Sequence, residues 1–252
     1  LHLPSSLEVT NFAHGQAQLI KYEIPEGSIL DGTKLMDLGT RHHANILIGA
    51  VERDDEVTIP SGDFVLRKGD KLSFVGERRH TKEFFSHIGV NTHSVKNTLI
   101  IGGGKAAYYL AKQLISRGIK VKIIENSFER CEELSILLPD AVIINGDGTE
   151  QALLKEEGIE TCQSFVPLTG IDEENIMLTL YAKQVSNAKV ITKLNRITFT
   201  NVINSLDLGS VISPKYITSE AIIAYVRAKK NSMNRNIETL YHMYDSRVEA
   251  IE

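Results

Sequence analysis

The chain has 252 residues, 42% of them hydrophobic and 24% charged, with 28 basic against 32 acidic side chains and a formal net charge of -4. That composition excludes a disordered chain, because it holds enough apolar material for a core, and the slight acidic surplus excludes the basic footprint of a nucleic-acid binder. Two cysteines, Cys131 and Cys162, make neither a disulfide framework nor a thiolate zinc site, which reads as a reducing compartment, and no apolar run approaches the roughly 18 residues that span a bilayer.

The length suits one large domain or two modest ones. The first residues, Leu1-His-Leu-Pro4, carry neither an initiating Met nor the basic region of a signal peptide. The expectation is a cytosolic protein and a piece of something longer.

Up to about residue 95, short strand-like runs alternate with turn signals. Gln18-Leu-Ile-Lys-Tyr-Glu-Ile24 alternates and stops at Pro25-Glu-Gly27. A short helix is expected around Thr33–Leu38. Ile46-Leu-Ile-Gly-Ala-Val51 and Glu56-Val-Thr-Ile59 flank Arg53-Asp54-Asp55, a hairpin turn by composition. Asp63-Phe-Val-Leu66 reads as a strand leading through Arg67-Lys-Gly-Asp70 to a second, Leu72-Ser-Phe-Val75. A helix from Thr81 to Ile88 places Phe84, Phe85 and Ile88 on one face. Together these make a small α+β unit of about 90 residues, inside the usual domain size.

After Asn97 the pattern becomes strand–helix–strand. Thr98–Ile101 is a buried strand, and Lys105–Arg117 a helix with Leu110 and Leu114 inward, stopped by Gly118. Lys120–Glu125 is the next strand, and Ser127 caps a helix that ends at Pro139. Ala141–Ile144, Ser164–Leu168 and Lys189–Lys193 are further strands, with helices beginning at Thr149, Asp172 and Arg196. Val211-Ile212 fits a sixth strand, before a helix from Ser219 to Lys229 with Ala221, Ile222, Tyr225 and Val226 on one side. Ile237–Glu252 reads as a strand or two. Strands alternating with helices at this spacing predict βαβ units and a doubly wound parallel sheet.

Gly102-Gly-Gly104-Lys-Ala-Ala107 lies directly after a strand and before a helix, the context in which a glycine fingerprint binds a dinucleotide. Gly102 permits the turn, Gly104 lets backbone amides approach a pyrophosphate at the helix N-terminus, and Ala107 takes the third, close-packed position. Gly103, Lys105 and Ala106 complete the candidate cradle. Glu125 ends the second strand 21 residues after Gly104. An acid about 20 residues on takes the ribose hydroxyls and repels a 2′-phosphate, which favours NAD(H) or an adenine nucleotide over NADP. Asn126 and Arg130 follow it. On the same carboxyl edge, Asn145-Gly-Asp-Gly-Thr149 offers Asp147, Gly148 and Thr149, Leu168-Thr-Gly170 offers Thr169, and the fifth strand ends in Lys193. The alternatives are a ligand-free turn, Thr149 and Asp172 as simple helix caps, and Arg130 and Lys193 as solvated charges.

A dehydrogenase needs a proton donor at the nicotinamide, and none is visible. His2, His14, His42, His43, His80, His87 and His93 precede Asn97, and His242 lies far downstream. The pair His42-His43 lacks carboxylates at ligand spacing and reads as a surface loop. No catalytic residue and no metal site is expected. The rival reading is an NAD-dependent oxidoreductase whose catalytic region lies elsewhere.

Leu99-Ile-Ile-Gly-Gly-Gly104, Ile123-Ile-Glu125 with Glu129-Arg130-Cys131, Ile144-Asn-Gly-Asp-Gly-Thr149, and Leu168-Thr-Gly170 with Asp172-Glu-Glu-Asn-Ile176 closely resemble the nucleotide-binding domain of the potassium-conductance-regulating (RCK, or KTN) family. Ile24-Pro-Glu-Gly-Ser28 and Leu66-Arg-Lys-Gly-Asp70 resemble that family's small C-lobe. The resemblance implies an α/β protein with a doubly wound, Rossmann-like nucleotide-binding (RCK N) domain at 96–215, preceded by a small α+β RCK C (TrkA-C) domain at 1–92. A crossover helix and the truncated start of a second C-lobe would follow at 216–252. It also implies an internal fragment of a tandem protein and a cytosolic, non-enzymatic subunit. Such a subunit assembles through dimers into a ring at the cytoplasmic face of the plasma membrane, binds NAD(H) or ATP/ADP, and gates the potassium-translocating membrane subunit TrkH. Family members often carry Arg where this chain has Lys105, a point charge without the bidentate fork.

Overall fold

The computed structural model describes residues 6–12, 17–41, 45–90, 95–196, 202–203, 206, 208–231, 240–243 and 248–251. The chain divides into two compact units, one centred on residues 94–217 and the other on residues 3–93 and 218–252.

In the second of these, β1 (Ser6–Phe12), β2 (Ala17–Glu23), β3 (Leu47–Arg53), β4 (Glu56–Thr58) and β5 (Lys71–Glu77) form an antiparallel sheet ordered β1-β2-β5-β3-β4. Alternation along the strands sends Ile20, Tyr22, Leu72 and Phe74 to one face. Helix α2 (Arg78–His87) lays Phe84 and Phe85 on that face, with Tyr22–Phe85 and Phe74–Phe84 ring centroids 5.1 and 5.7 Å apart. The β3–β4 hairpin turns through Asp54 and Asp55 at φ 51° and 63°, the left-handed pair that matches strand twist. Asp70 is fully buried and accepts from Arg53 Nε and Nη2, each at 2.7 Å, and from the Arg67 amide at 2.8 Å.

Two expectations change here. Asp63–Leu66 is no regular strand: it makes one bridge, Val65 to Lys34, flanked by Leu66 N–H to Thr33 O and Leu35 N–H to Phe64 O, because its partner is the turn segment Gly32–Leu35 and not a strand. That bridge holds Lys34 extended, so the helix expected from Thr33 starts later, as a 3-10 turn at Leu35–Asp37 that runs into α1 (Leu38–Arg41). The pair His42-His43 lies outside the described residues.

In the other unit, β6 (Asn97–Ile101), β7 (Lys120–Glu125), β8 (Val142–Asn145), β9 (Ser164–Pro167), β10 (Lys189–Lys193) and β11 (Ser210–Ile212) form a parallel sheet ordered β11-β10-β9-β6-β7-β8. Both faces are covered. Ile100, Val121, Ile123 and Val166 pack with Ala107, Ala111 and Leu114 of α3 (Lys105–Ile115) and Leu134 of α4 (Phe128–Leu137). Leu99, Ile101, Ile124, Phe165 and Val190 pack with Leu154 of α5 (Gln151–Glu156) and with Leu178 and Ala182 of α6 (Asp172–Val185). Alternate residues of one strand serve opposite cores, which is why these strands are continuously apolar. The chain leaves β6 toward β7 and β8, then crosses back to β9. The topological switch point therefore lies between β6 and β9, where open α/β sheets take ligands.

Strand β11 appears where Val211-Ile212 suggested it. Helix α7 runs over Pro214–Asn231, earlier than the expected Ser219, because Pro is well suited to a first helical position. Antiparallel β12 (Leu240–Met243) and β13 (Val248–Ile251) occupy the terminal stretch read as strands. The helix expected from Arg196 falls mostly outside the described residues. Among those residues, no helix is long and apolar enough to cross a membrane.

Candidate functional site

At the carboxyl end of β6, Gly102 turns the chain at φ +92° and donates its N–H to Ile124 O at 2.8 Å. A Cβ there would lie 3.1 Å from the Leu168 carbonyl, so β9 approaches too closely for any side chain. Gly103 is held at both ends of its backbone. Its N–H donates to Glu125 Oε2 (2.6 Å) and its carbonyl accepts from Arg130 Nε (2.7 Å), while a Cβ would come within 2.6 Å of Leu134 Cδ1.

Gly104 differs from both. Its φ is -66°, and a Cβ would meet nothing within 4 Å. It stands at the N-cap of α3 without a capping side chain, and the first intrahelical bond is Tyr108 N–H to Gly104 O (3.1 Å). The amides of Lys105, Ala106 and Ala107 precede that bond and face the positive end of the helix dipole. Lys105 and Ala106 are exposed, and Ala107 is buried against the sheet.

Glu125 spans two backbone segments, because its other oxygen, Oε1, accepts from Ser127 N–H at 2.8 Å. Ser127 caps α4 as expected, accepting from the Arg130 amide. Arg130 also pairs with Glu133, so its guanidinium is engaged by the protein itself. Asn126 is exposed, and its carbonyl, like that of Glu125, accepts from Asn145 Nδ2 (3.2 and 3.1 Å). Burial pushes up the Cys131 thiol beneath this junction.

Beyond β8, Asp147 Oδ1 accepts from the backbone and hydroxyl of Thr149, at 2.9 and 2.7 Å. Those bonds hold its carboxyl below the usual carboxylate range. Thr149 therefore does not cap α5, which begins at Gln151 behind Glu150; its hydroxyl is already donated backwards. Gly148 is buried, and a Cβ on it would lie 2.3 Å from Ile101 Cγ2.

After β9, the Thr169 amide and hydroxyl donate to Asn175 Oδ1 at 3.0 and 2.9 Å. Asn175 is fully buried, and its Nδ2 donates to the carbonyls of Thr169 (3.3 Å) and Lys193 (3.0 Å). Lys193 Nζ reaches the Leu168 carbonyl at 3.4 Å, and burial lowers its pKa against an opposing pull from Asp172. Asp172 does not cap its own helix. Its oxygens accept instead from the amides of Asn195 and Arg196, both at 2.8 Å.

The carboxyl edge thus links Gly103, Glu125 and Arg130 through direct hydrogen bonds, sets Gly102 against Thr169, and ties Thr169 to Lys193 through Asn175. Asp147 and Thr149 bond to each other at the β8 end. Asn145, Asn175 and Asp172 were not singled out as site residues, although each lies in a motif already quoted. An amide side chain in the first turns of a helix otherwise apolar toward the sheet was the available signal. Among the described residues, no group of three or more His, Cys, Asp or Glu could hold a metal ion.

The sequence matches the TrkA-N domain over residues 98–214 and the TrkA-C domain over residues 19–89. Most of the chain is thus accounted for by these two domains of the TrkA type. It is 31% identical over 253 residues to the Trk system potassium uptake protein trkA homolog 1 of Methanosarcina mazei, covering 100% of this chain and 60% of that protein. Against the Trk system potassium uptake protein TrkA of Halomonas elongata the identity is 32% over 226 residues, 89% of this chain and 49% of the relative. The chain therefore spans about half to three-fifths of the length of these relatives. Among solved structures, the GsuK RCK domain aligns over 95% of this chain and 52% of its own, with a TM-score of 0.60 at 18% identity. The GsuK channel bound to NAD aligns over 92% and 42%, with a TM-score of 0.59 at 19% identity. These two likenesses confirm the fold: a Rossmann-like parallel-sheet domain and a small α+β domain on one chain.

Proposed function

We propose that this chain is the nucleotide-sensing part of a Trk-type potassium uptake regulator, with NAD(H) or ATP/ADP bound at the carboxyl edge of the parallel sheet. The observation that carries the reading is Gly104. Gly102, Gly103 and Gly148 each have a steric reason inside the protein, but Gly104 has an ordinary φ and open space where its side chain would be. A glycine with no internal need for one, next to three helix-terminal amides, suits the close approach of a diphosphate. Glu125 would take the ribose hydroxyls with its remaining lone pairs, and Thr169, Asp147 and Lys193 would face the rest of the ligand. Lys105 would supply a mobile positive charge.

The wider reading follows the family relationship. Residues 1–92 form the C-lobe, 96–215 the nucleotide domain, and 216–252 a crossover helix with the start of a further lobe. Helix α7 exposes Tyr216, Ile217, Ile222, Tyr225 and Val226, an apolar surface suited to a second copy in a dimer that builds a ring. The subunit has no catalytic role, works at the cytoplasmic face of the membrane, and gates TrkH by favouring one ring conformation according to which nucleotide binds it better. Potassium flux through TrkH in vesicles, measured with the complete regulator and each nucleotide in turn, tests this. A nucleotide-dependent change in flux without consumption of the nucleotide is expected. Flux that ignores all four nucleotides, or steady turnover of NADH, would overturn it.

A further inference from the structure

Between the ligand-facing edge and the far side of the sheet stands a buried amide that uses its full hydrogen-bonding capacity. Asn175 lies in the first turns of α6 with no exposed surface. Its Oδ1 accepts twice from Thr169, and its Nδ2 donates to the Thr169 and Lys193 carbonyls. A side-chain amide has two acceptor sites and two donors, and here all four are filled. Asn175 thus brackets the turn after β9 and fastens it to the last residue of β10.

Each end of this bracket leads further. On one side, the Thr169 Cα and the Leu168 carbonyl lie 3.2 and 3.1 Å from where a Gly102 Cβ would stand, so the glycine turn rests directly on this segment. On the other side, Asp172, on the same turn of α6, holds the amides of Asn195 and Arg196 as the chain leaves β10. The first turn of α6 therefore grips both the switch-point loop and the exit of β10. A shift at Thr169 cannot occur without stretching bonds that end on Lys193, because a buried amide stripped of partners is costly.

We propose that Asn175 is a positioning residue that fixes the Thr169 turn against the glycine turn and carries the effect of occupancy at the glycine turn to residues 193–196. The proposal rests on the nucleotide reading of the site. It differs from simple packing, because packing would hold residues 193–196 equally with and without ligand.

The test is amide hydrogen exchange of the full chain, with and without saturating NADH and, separately, ADP. In the wild type, nucleotide is expected to slow exchange at 102–107 and, by about tenfold, at 193–196. Asn175→Asp keeps the shape and leaves Oδ1 to accept from both Thr169 donors, but it removes the donations to the Thr169 and Lys193 carbonyls. It should retain protection at 102–107 while losing the nucleotide-dependent part at 193–196. Thr169→Val, which deletes only the hydroxyl, should reduce that part without abolishing it. Protection confined to 102–107 in the wild type, or an Asn175→Asp response equal to wild type, would overturn the coupling alone. No protection at 102–107 with either nucleotide would overturn the binding site and this inference together. The wild-type comparison decides the matter even if a variant fails to fold.

Discussion

Replacing Glu125 should cost stability before any ligand is added. Its two oxygens accept from the part-buried Gly103 amide at 2.6 Å and from the exposed Ser127 amide at 2.8 Å. Hydrogen bonds to a charged partner are each worth about 1.5–3 kcal/mol when partly buried and less at the surface. Glu125→Ala loses both and leaves the Gly103 N–H without an acceptor, so about 3 kcal/mol is expected, a factor of roughly 150 in the unfolding equilibrium. Glu125→Gln keeps one acceptor for Gly103 and turns its NH2 toward the exposed Ser127 amide, which water can satisfy, for about 1 kcal/mol. Arg130 binds the other side of the same residue, through the Gly103 carbonyl. A double-mutant cycle of Glu125→Ala with Arg130→Ala should therefore show coupling of about 0.5–2 kcal/mol. The chain has no tryptophan, so urea unfolding followed by far-ultraviolet circular dichroism is the assay. A Glu125→Ala variant within about 0.5 kcal/mol of wild type, the range of ordinary surface substitutions, would refute the clamp. The clamp also means that lost nucleotide binding in Glu125→Ala would not by itself prove a ribose contact.

Three further outcomes follow from the packing and the buried charges. Gly148→Ala, with its Cβ 2.3 Å from Ile101 Cγ2, should destabilise the parallel-sheet unit by about 1–3 kcal/mol, and Ile101→Ala should recover part of that in the double variant, both read by urea unfolding. Arg53→Met strands the fully buried Asp70 carboxylate with only a backbone partner and should cost about 3–5 kcal/mol in the antiparallel unit, measured the same way. Burial pushes the Cys162 thiol up to about 11, so at pH 8 only about a thousandth of it is thiolate. Its alkylation should be slow in the folded chain, should quicken as pH rises toward that value, and should become fast in urea. Rapid modification of native Cys162 at pH 8 would contradict this.

The parallel-sheet unit was the most legible part of the sequence. Runs such as Leu99-Ile-Ile101 can be buried on both faces only if helices cover both, and Gly102-Gly-Gly104 marks where a strand gives way to a helix. Glu125 could be placed from spacing because a βαβ unit has a nearly fixed length. What stayed hidden depended on which of several possible partners a polar group chooses. Asp172 and Thr149 each sit where a cap would be reasonable, yet Asp172 reaches across to Asn195 and Arg196, and Thr149 folds back onto Asp147. Arg130 read as a ligand-binding residue or a solvated charge, and its engagement with Gly103 and Glu133 becomes visible only once α4 lies against the glycine turn. Asp63–Leu66 has strand composition, but its backbone groups are claimed by neighbouring turns. Asn175 is the sharpest case, since nothing local in Asp172-Glu-Glu-Asn-Ile176 says that its partner is the carbonyl of Lys193.

The central claim is that the open space above Gly104 belongs to a nucleotide. Calorimetric titration of NADH, NAD, ATP and ADP into the wild type and Gly104→Ala tests it most directly. A methyl group there touches nothing in the protein, so the unfolding free energy should change by less than about 1 kcal/mol. The same methyl stands where a diphosphate must approach the α3 amides, so affinity should fall at least about tenfold, or 1.4 kcal/mol. Wild-type binding of at least one of the four nucleotides, lost in an equally stable Gly104→Ala, is the predicted result. No binding to the wild type, or unchanged affinity in the variant, would contradict it.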